Sequence, residues 1–251
     1  MTAIYLRRDG RSPGAALFAA AALLLGLSGC ATVAPSGAAY EAAIADAAVA
    51  SPNKVTALMP LPAGDKVRVV SWVTESRTPC KPPDTSCATT TAPDRIWVTL
   101  AGEVQQRCRA WGLQGDALRQ RLEQLLGLPL DPPPQFRKAR FVTMEVARER
   151  LDRPCLGIDE SNAQGPVCTI GLQAARAPDV RDYVLTQMAN SFVTGNPAGP
   201  GYPFTRLGYT YDWNEVNARP DHYGASEFLV QASTPATVIT QQDTDAYCAA
   251  P

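Results

Sequence analysis

The sequence has few residues that commonly hold a metal or act as a catalytic base. Only one histidine, His222, occurs in its 251 residues, and the seven cysteines include no C-x-x-C pair. A structural zinc site needs closely spaced cysteine and histidine ligands, so neither a metal nor a cofactor is expected. The G-x-S-x-G and H-E-x-x-H motifs are also absent, which argues against the hydrolases and proteases that carry them.

A hydrophobic run long enough to span a membrane is missing as well. The most apolar stretch, residues 15–27, is shorter than the ~20 residues that a membrane-spanning helix requires. It follows a basic start with Arg7, Arg8 and Arg11 and precedes small residues. This order is typical of a secretory signal peptide.

The apolar stretch ends in Leu27-Ser28-Gly29-Cys30. These four residues resemble the lipobox of bacterial lipoproteins, in which the cysteine receives fatty acyl chains such as palmitate and becomes the new N-terminus. The resemblance implies that residues 1–29 are a signal peptide and that Cys30 anchors the protein to the membrane of the cell envelope. Ala31 follows the cysteine where an Asp would imply retention at the inner membrane, so the outer membrane is expected. Ordinary cleavage beside an incidental cysteine is the alternative.

A large net charge of either sign is also absent. The whole chain carries a net charge of −1, and removal of residues 1–29 changes this to about −3. Nucleic-acid binding requires a clearly basic face, so no nucleic-acid partner is expected. Residues 30–53 are rich in alanine, the best helix former, which favours a weak helix at about residues 40–50. The segment lacks a broad apolar stripe to dock, so a lipidated tether is expected. The remaining residues, 54–251, are enough for one folded domain.

The six cysteines after Cys30 indicate disulfides in an exported chain. Six cysteines allow 15 connectivities, so any pairing is a hypothesis. Cys80 and Cys87 flank one short loop and Cys155 and Cys168 flank another, which favours two local pairs. Cys108 and Cys248 then remain as a long-range pair.

The hydrophobic patterns mix helices and strands without regular βαβ repetition. They predict strands at 66–76, 139–147 and among the last fifty residues, and helices at 116–126, at 178–192 and from about Leu100. Asp116 is expected to cap one helix, and Gly127 to end it in the left-handed conformation. We therefore expect an α+β fold: a single disulfide-linked domain with a mostly antiparallel sheet and two or three helices.

Three stretches of the body also resemble a set of exported bacterial proteins that are uncharacterised. They are "RLEQLLGLP", "GYPFTRLGYTYDW" and "ASEFLV", the last followed by a cysteine near the C-terminus. The resemblance implies a shared fold and carries over no activity and no site residues.

An aromatic row is the first candidate site. Tyr209, Tyr211 and Trp213 share one face of a predicted strand, while the polar residues Thr210 and Asp212 lie on the other. Such a row is either a binding platform or part of the core, and the polar face is expected to contact solvent.

A polar cluster is the second candidate site. Asp212, Asp221, His222 and Glu227 are close in sequence, and a glycoside hydrolase needs two carboxyl groups about 5–5.5 or 6.5–9.5 Å apart. Ordinary polar loop residues between two strands would produce the same cluster.

A basic segment is a third feature. Six cations occur in residues 137–153 among three acids, so the segment either faces anionic lipid headgroups or is solvated with internal ion pairs. The cations are Arg137, Lys138, Arg140, Arg148, Arg150 and Arg153.

The leading interpretation is therefore an envelope-anchored lipoprotein that acts as a binding or structural module for an unidentified envelope partner. The alternative is an envelope hydrolase that uses the carboxylates near His222.

Overall fold

The structure, a computed structural model, describes residues 37–78, 90–91 (backbone only), 94–129, 132–193, 201–216 and 220–249. The predicted signal peptide, the lipobox with Cys30, and the predicted Cys80–Cys87 pair lie outside these residues. The other predicted elements can be compared with the structure directly.

A seven-stranded antiparallel sheet forms the centre of the molecule. Its strand order is β2-β11-β4-β1-β3-β10-β5, and neighbouring strands pair antiparallel throughout. Two short hairpins, β6–β7 and β8–β9, lie outside it. The strands are β1 Lys66–Thr74, β2 Thr90–Thr91, β3 Ile96–Leu100, β4 Lys138–Ala147, β5 Leu151–Asp152, β6 Ile158–Asp159, β7 Val167–Cys168, β8 Tyr209–Tyr211, β9 Tyr223–Ser226, β10 Phe228–Val230 and β11 Pro235–Asp243.

Five α-helices occur among the described residues, so the α+β expectation is confirmed with more helices than the two or three expected. They are α1 Gly37–Ala48, α2 Glu103–Trp111, α3 Gly115–Leu125, α4 Pro178–Ser191 and α5 Thr244–Cys248. Strand β1 alternates as predicted: Val67 and Val69 join one aliphatic cluster, while Val70 and Trp72 pack with α2, α3 and α5 on the other face. This alternation follows from the two-residue period of a strand.

Helix α3 begins differently from the prediction. Its N-cap position is Gln114, with no side-chain cap, and Asp116 pairs with Arg119 instead. The N–H of Gly115 is satisfied by Asp245 Oδ1 from α5, 2.8 Å away. A remote carboxylate thus replaces the local cap. At the other end, Gly127 has a φ of +67°, as the sequence predicts.

Two of the predicted disulfides are confirmed. Cys108 in α2 is bonded to Cys248 in α5 across 140 residues, with a Cα–Cα distance of 5.4 Å. Cys155 is bonded to Cys168 in β7, with a Cα–Cα distance of 5.9 Å. The long-range bond joins the C-terminal helix to the helical layer. By restricting the unfolded chain, such a bond stabilises a fold by typically 2–4 kcal/mol.

Helix α1 corrects the prediction that residues 30–53 are a tether without a docking face. Tyr40, Ala43, Ile44 and Ala47 are all at most 5% exposed, and they pack against the rings of Tyr211 and Trp213. Small alanines let the helix approach closely, so a stripe of modest hydrophobicity is enough to dock it. The helix belongs to the same compact unit as the body.

Two cations complete the docking of α1 at its C-terminal end. Lys54 Nζ donates to the carbonyls of Asp46 and Val49 at 2.6 and 2.9 Å, and the Arg206 guanidinium donates to the carbonyl of Ala48 at 3.1 Å. The last carbonyls of a helix have no partner within it, and its C-terminus attracts positive charge. Both side chains therefore stabilise the C-terminal end of α1, although neither residue belongs to the helix.

Docking of α1 predicts a stability cost for truncating its buried face. Ile44 is fully buried, so Ile44→Ala should lower the free energy of unfolding by about 2–4 kcal/mol. Val49, at the end of the helix and 62% exposed, is the matched control, and V49A should change stability by less than about 0.5 kcal/mol. Urea unfolding of the two variants measures both values. Equal, small effects would mean that α1 is not docked.

Candidate functional site

The aromatic row is part of the core, so the platform hypothesis is wrong. Tyr209, Tyr211 and Trp213 are 0%, 3% and 3% exposed, and the rings belong to two buried clusters rather than to one surface. The face expected to be wet is buried too, since Thr210 and Asp212 are 7% and 2% exposed. The β8–β9 hairpin is therefore enclosed on both faces.

Each polar atom of the aromatic row has a specific partner in another segment. The Tyr209 hydroxyl lies 2.7 Å from the carbonyl of Lys54, and Tyr211 donates to Asp46 Oδ2 at 2.8 Å. Trp213 Nε1 donates to the carbonyl of Leu128 at 3.1 Å. Burial, together with the hydrogen bond to Asp46, raises the pKa of Tyr211. These bonds orient the hairpin within the core.

Asp212, one of the predicted catalytic carboxylates, is held in a buried ion pair. Its Oδ1 and Oδ2 accept from the two terminal nitrogens of Arg121 in α3, at 3.0 and 2.7 Å. The Arg121 guanidinium also stacks on the ring of Trp111, 4.6 Å from its centroid. A two-bond carboxylate–guanidinium pair is geometrically specific and strong, so it fixes α3 against the hairpin.

His222 and Asp221 also make contacts within the hairpin. The imidazole of His222 stacks on the ring of Tyr211 with centroids 4.5 Å apart, and its Nδ1 lies 3.1 Å from the carbonyl oxygen of Asp212. Asp221 Oδ1 accepts from the N–H of Tyr223 at 3.1 Å. Asp212, Asp221 and His222 thus belong to one hairpin, where each supports the turn or its packing.

Glu227, the fourth member of the predicted cluster, lies in a different environment. It precedes β10 and lies near Tyr183 and Tyr202, whose pKa values are raised chiefly by their own burial. Part of the residue retains solvent contact, but its Oε2 is buried and has no hydrogen-bond partner among the described residues. Burial raises the pKa of Glu227 to about 8. The raised pKa favours the neutral form of this carboxyl, and among the described residues no ion pair joins Glu227 to the hairpin.

Sequence reasoning did not find a cleft of about 420 Å³ beside α2. Glu103 and Arg107 line it with Tyr223 and the loop at Met59. Both Glu103 oxygens accept from the N–H of Ser226 at 3.0 Å, and burial raises the pKa of this carboxyl despite those bonds. Arg107 lies 3.8 Å from Glu103. The i, i+4 spacing of Glu103 and Arg107 was the available sequence signal.

A second cleft, of about 510 Å³, lies where β1 and β11 end and β4 begins, near α3 and α5. We call it the Lys138 cleft. Lys138 and Arg137 line it with Glu75, Asp243 and Asp245. Lys138 begins β4 and pairs with Thr74 at the end of β1, which brings the 3₁₀ turn Glu75–Arg77 to the same edge.

The rest of the basic segment does not form a continuous charged surface. Arg140 pairs with Glu75 and Asp243, and the Arg148 guanidinium donates to the carbonyl of Leu61 at 3.3 Å. Arg153 is 6% exposed and stacks over the ring of Phe228. Of the six cations, three thus have structural contacts, Arg137 and Lys138 line the Lys138 cleft, and Arg150 is exposed.

Comparison of the chain with models of protein families, with curated proteins and with solved structures finds no match. In the part of the chain that the structure describes, no helix is both long and apolar enough to cross a membrane. The same residues contain no group of three or more His, Cys, Asp or Glu side chains placed to hold a metal ion. The function must therefore be argued from the two clefts and the placement of the candidate residues.

The buried carboxyl of Glu227 predicts a distinctive pH dependence of stability. Its pKa of about 8 in the fold exceeds the ordinary value of 4.5 for a glutamate, so the folded state binds more protons between these limits. The stability that the neutral carboxyl maintains is complete below about pH 4.5 and is lost as pH rises toward 8, at up to about 1.4 kcal/mol per pH unit.

The variant Glu227→Gln removes this titration. Relative to the variant, the wild type should lose unfolding free energy as the pH rises from about 4.5 to 8, and the difference should then level off. Chemical unfolding at a series of pH values measures it. Glu149→Gln, at an exposed glutamate, is the control and should show no such trend. A pH-independent difference for Glu227→Gln would show that the carboxyl is ionised throughout.

Proposed function

We propose that this protein is a lipoprotein of the bacterial cell envelope, anchored through Cys30, whose α+β body is a ligand-binding module. The lipobox-like residues 27–30 and the preceding signal-like segment support the anchor. The two disulfides of the body support export, because such bonds form and persist in oxidising compartments. An outer-membrane location remains the proposal, based on Ala31.

The binding role is supported by the structural contacts that the candidate catalytic groups make. Asp212 is locked to Arg121, Asp221 holds a turn, and His222 is stacked on Tyr211. Glu227 belongs to another aromatic environment. A hydrolase would need two of these groups to converge on an open cleft, and neither described cleft is lined by any of the four. The hydrolase alternative therefore gains no support from the geometry.

The docking of α1 changes how the anchor would present the body. Six residues, 31–36, separate Cys30 from Gly37, the first residue of α1. Seven Cα steps span at most about 25 Å when fully extended. In the proposed lipoprotein, the body is therefore held close to the membrane surface, so its ligand would be met at or near that surface.

Replacement of Cys30 tests the anchor. Wild-type protein from a bacterial host should partition into the detergent phase, and mass spectrometry should find acyl chains on Cys30. Cys30→Ser should abolish both, since the thiol is the acylation site and two or more chains are needed for stable anchoring. Ser28→Ala keeps a small residue in the motif and should be acylated normally. A mature wild-type chain with an unmodified N-terminus at another residue would overturn the proposal.

A further inference from the structure

We propose that the Lys138 cleft binds a phosphate group. The inference deepens the proposed function and depends on it only for the place where the ligand is met. The cleft, of about 510 Å³, is large enough for a small phosphorylated molecule or the headgroup of a phospholipid.

The acids and the cations of the cleft differ in whether they have partners. Glu75 and Asp243 both pair with Arg140, and Asp245 accepts from the N–H of Gly115. The cations are used differently. Among the described residues, no carboxylate lies within ion-pair distance of Lys138, Arg77 or Arg137. The three acids thus have their donors, and Arg119, which also lines the cleft, is paired with Asp116. Lys138 and Arg137 in the lining, and Arg77 near Lys138, have no acidic partner.

The position of Lys138 also favours a bound anion. Its side chain is largely buried at the start of β4, where an unpaired ammonium is poorly solvated. Burial, together with the like charge of Arg77, lowers the pKa of Lys138. An anion in the cleft relieves both effects, because it replaces lost hydration and screens the two cations from each other. The site is therefore prepared for an anion at the expense of its own stability.

The donor set favours phosphate among anions. A phosphate carries up to two charges on oxygens directed around one atom, and it can contact several cations at once. Lysine contributes a compact point charge, and arginine contributes paired N–H groups that match phosphate oxygens. Arg137 lines the cleft, Arg77 lies near Lys138, and both are exposed, so their side chains are free to reorient toward a ligand.

The cleft beside Glu103 is a weaker candidate for an anion. Arg107, the cation that lines it, is half-buried and already has a Glu103 carboxylate oxygen at 3.8 Å. The ring of Tyr223 lies beneath it, with the guanidinium carbon 5.5 Å from the ring centroid. An anion there would compete with a carboxylate that is fixed to Ser226.

Phe136 indicates how the source of the phosphate can be found. It precedes Arg137 and is 61% exposed, an unusual position for a large aromatic ring. A phospholipid would place acyl chains beside this ring, whereas a soluble phosphorylated compound would not need it. The ring is thus a separate probe of the ligand's apolar part.

The test uses the full mature chain in an uncharged detergent, with its lysines reductively methylated with ¹³C. The chain has four lysines, Lys54, Lys66, Lys81 and Lys138, and Lys138→Arg assigns the relevant NMR signal. Inorganic phosphate and dihexanoylphosphatidic acid are titrated separately at constant ionic strength, with sodium chloride as the blank. The Lys138 signal should shift saturably, and the pKa of this lysine should rise when either phosphate compound is bound.

Variants separate specific binding from general screening. Lys138→Gln should weaken binding at least tenfold, as expected for a lost charged hydrogen bond, and Lys138→Arg should retain it. Lys66→Gln removes an exposed lysine elsewhere and should bind as wild type does. Thermal unfolding of each variant checks that it is folded.

A lipid headgroup is supported if dihexanoylphosphatidic acid binds more tightly than inorganic phosphate and Phe136→Ala abolishes the difference. A soluble phosphate compound is supported if the two affinities are equal and Phe136→Ala does not change them. A Lys138 signal that responds to neither ligand overturns the proposal, as does equal weakening by Lys66→Gln. Failure here would leave acylation of Cys30 unaffected, so the two proposals fail independently.

Discussion

The structure depends on the enclosure of a polar hairpin. Strands β8 and β9 carry tyrosines, a threonine and a serine into the core, and buried polar groups must be hydrogen-bonded to be tolerated. Three helices supply the partners. Asp46 of α1 accepts from Tyr211, the Leu125 carbonyl of α3 accepts from Thr210, and Glu103 of α2 accepts from the N–H of Ser226. Removing one helix would leave the opposite group buried without a partner.

Close backbone approach makes this enclosure possible. A Cβ at Gly224 would lie 2.3 Å from the carbonyl oxygen of Leu125 and 2.2 Å from the Thr210 hydroxyl. No side chain fits there, so the end of α3 can rest on the hairpin and share the Thr210 hydroxyl, which also accepts from the N–H of Ala225 at 2.8 Å. The hairpin therefore orders the helical layer as well as its own turn.

The charges of the protein fall into two functional classes. Most buried charges make structural contacts, as in the Arg121–Asp212 pair and in Arg153 stacked over Phe228. Removing one partner of such a pair leaves an uncompensated buried charge, which is strongly destabilising. Lys138 and Arg137 at the Lys138 cleft differ because no described acid pairs with them. Unpaired charge at a cleft is a better indication of a ligand than a cluster of polar residues in sequence.

The local sequence by itself determined the elements whose signals are local. Period-two alternation located β1 and β4, the apolar stripes located α3 and α4, and Gly127 marked the end of α3 because only glycine adopts its φ of +67° without strain. Cysteine spacing indicated the Cys155–Cys168 bond, and elimination among the cysteines left Cys108 with Cys248.

Tertiary structure decided everything that depended on distant partners. The cap of α3 comes from Asp245, α1 docks although its sequence is mostly alanine, and the aromatic row is core because helices cover both faces of its hairpin. The candidate site shows the same division. The basic segment is evident in the sequence, but its roles are not. Only the packed structure shows that Arg140 is ion-paired and Arg153 stacks on Phe228, whereas Lys138 lines a cleft. Residue spacing cannot report this, because an ion pair is made by whichever charge the fold brings within reach.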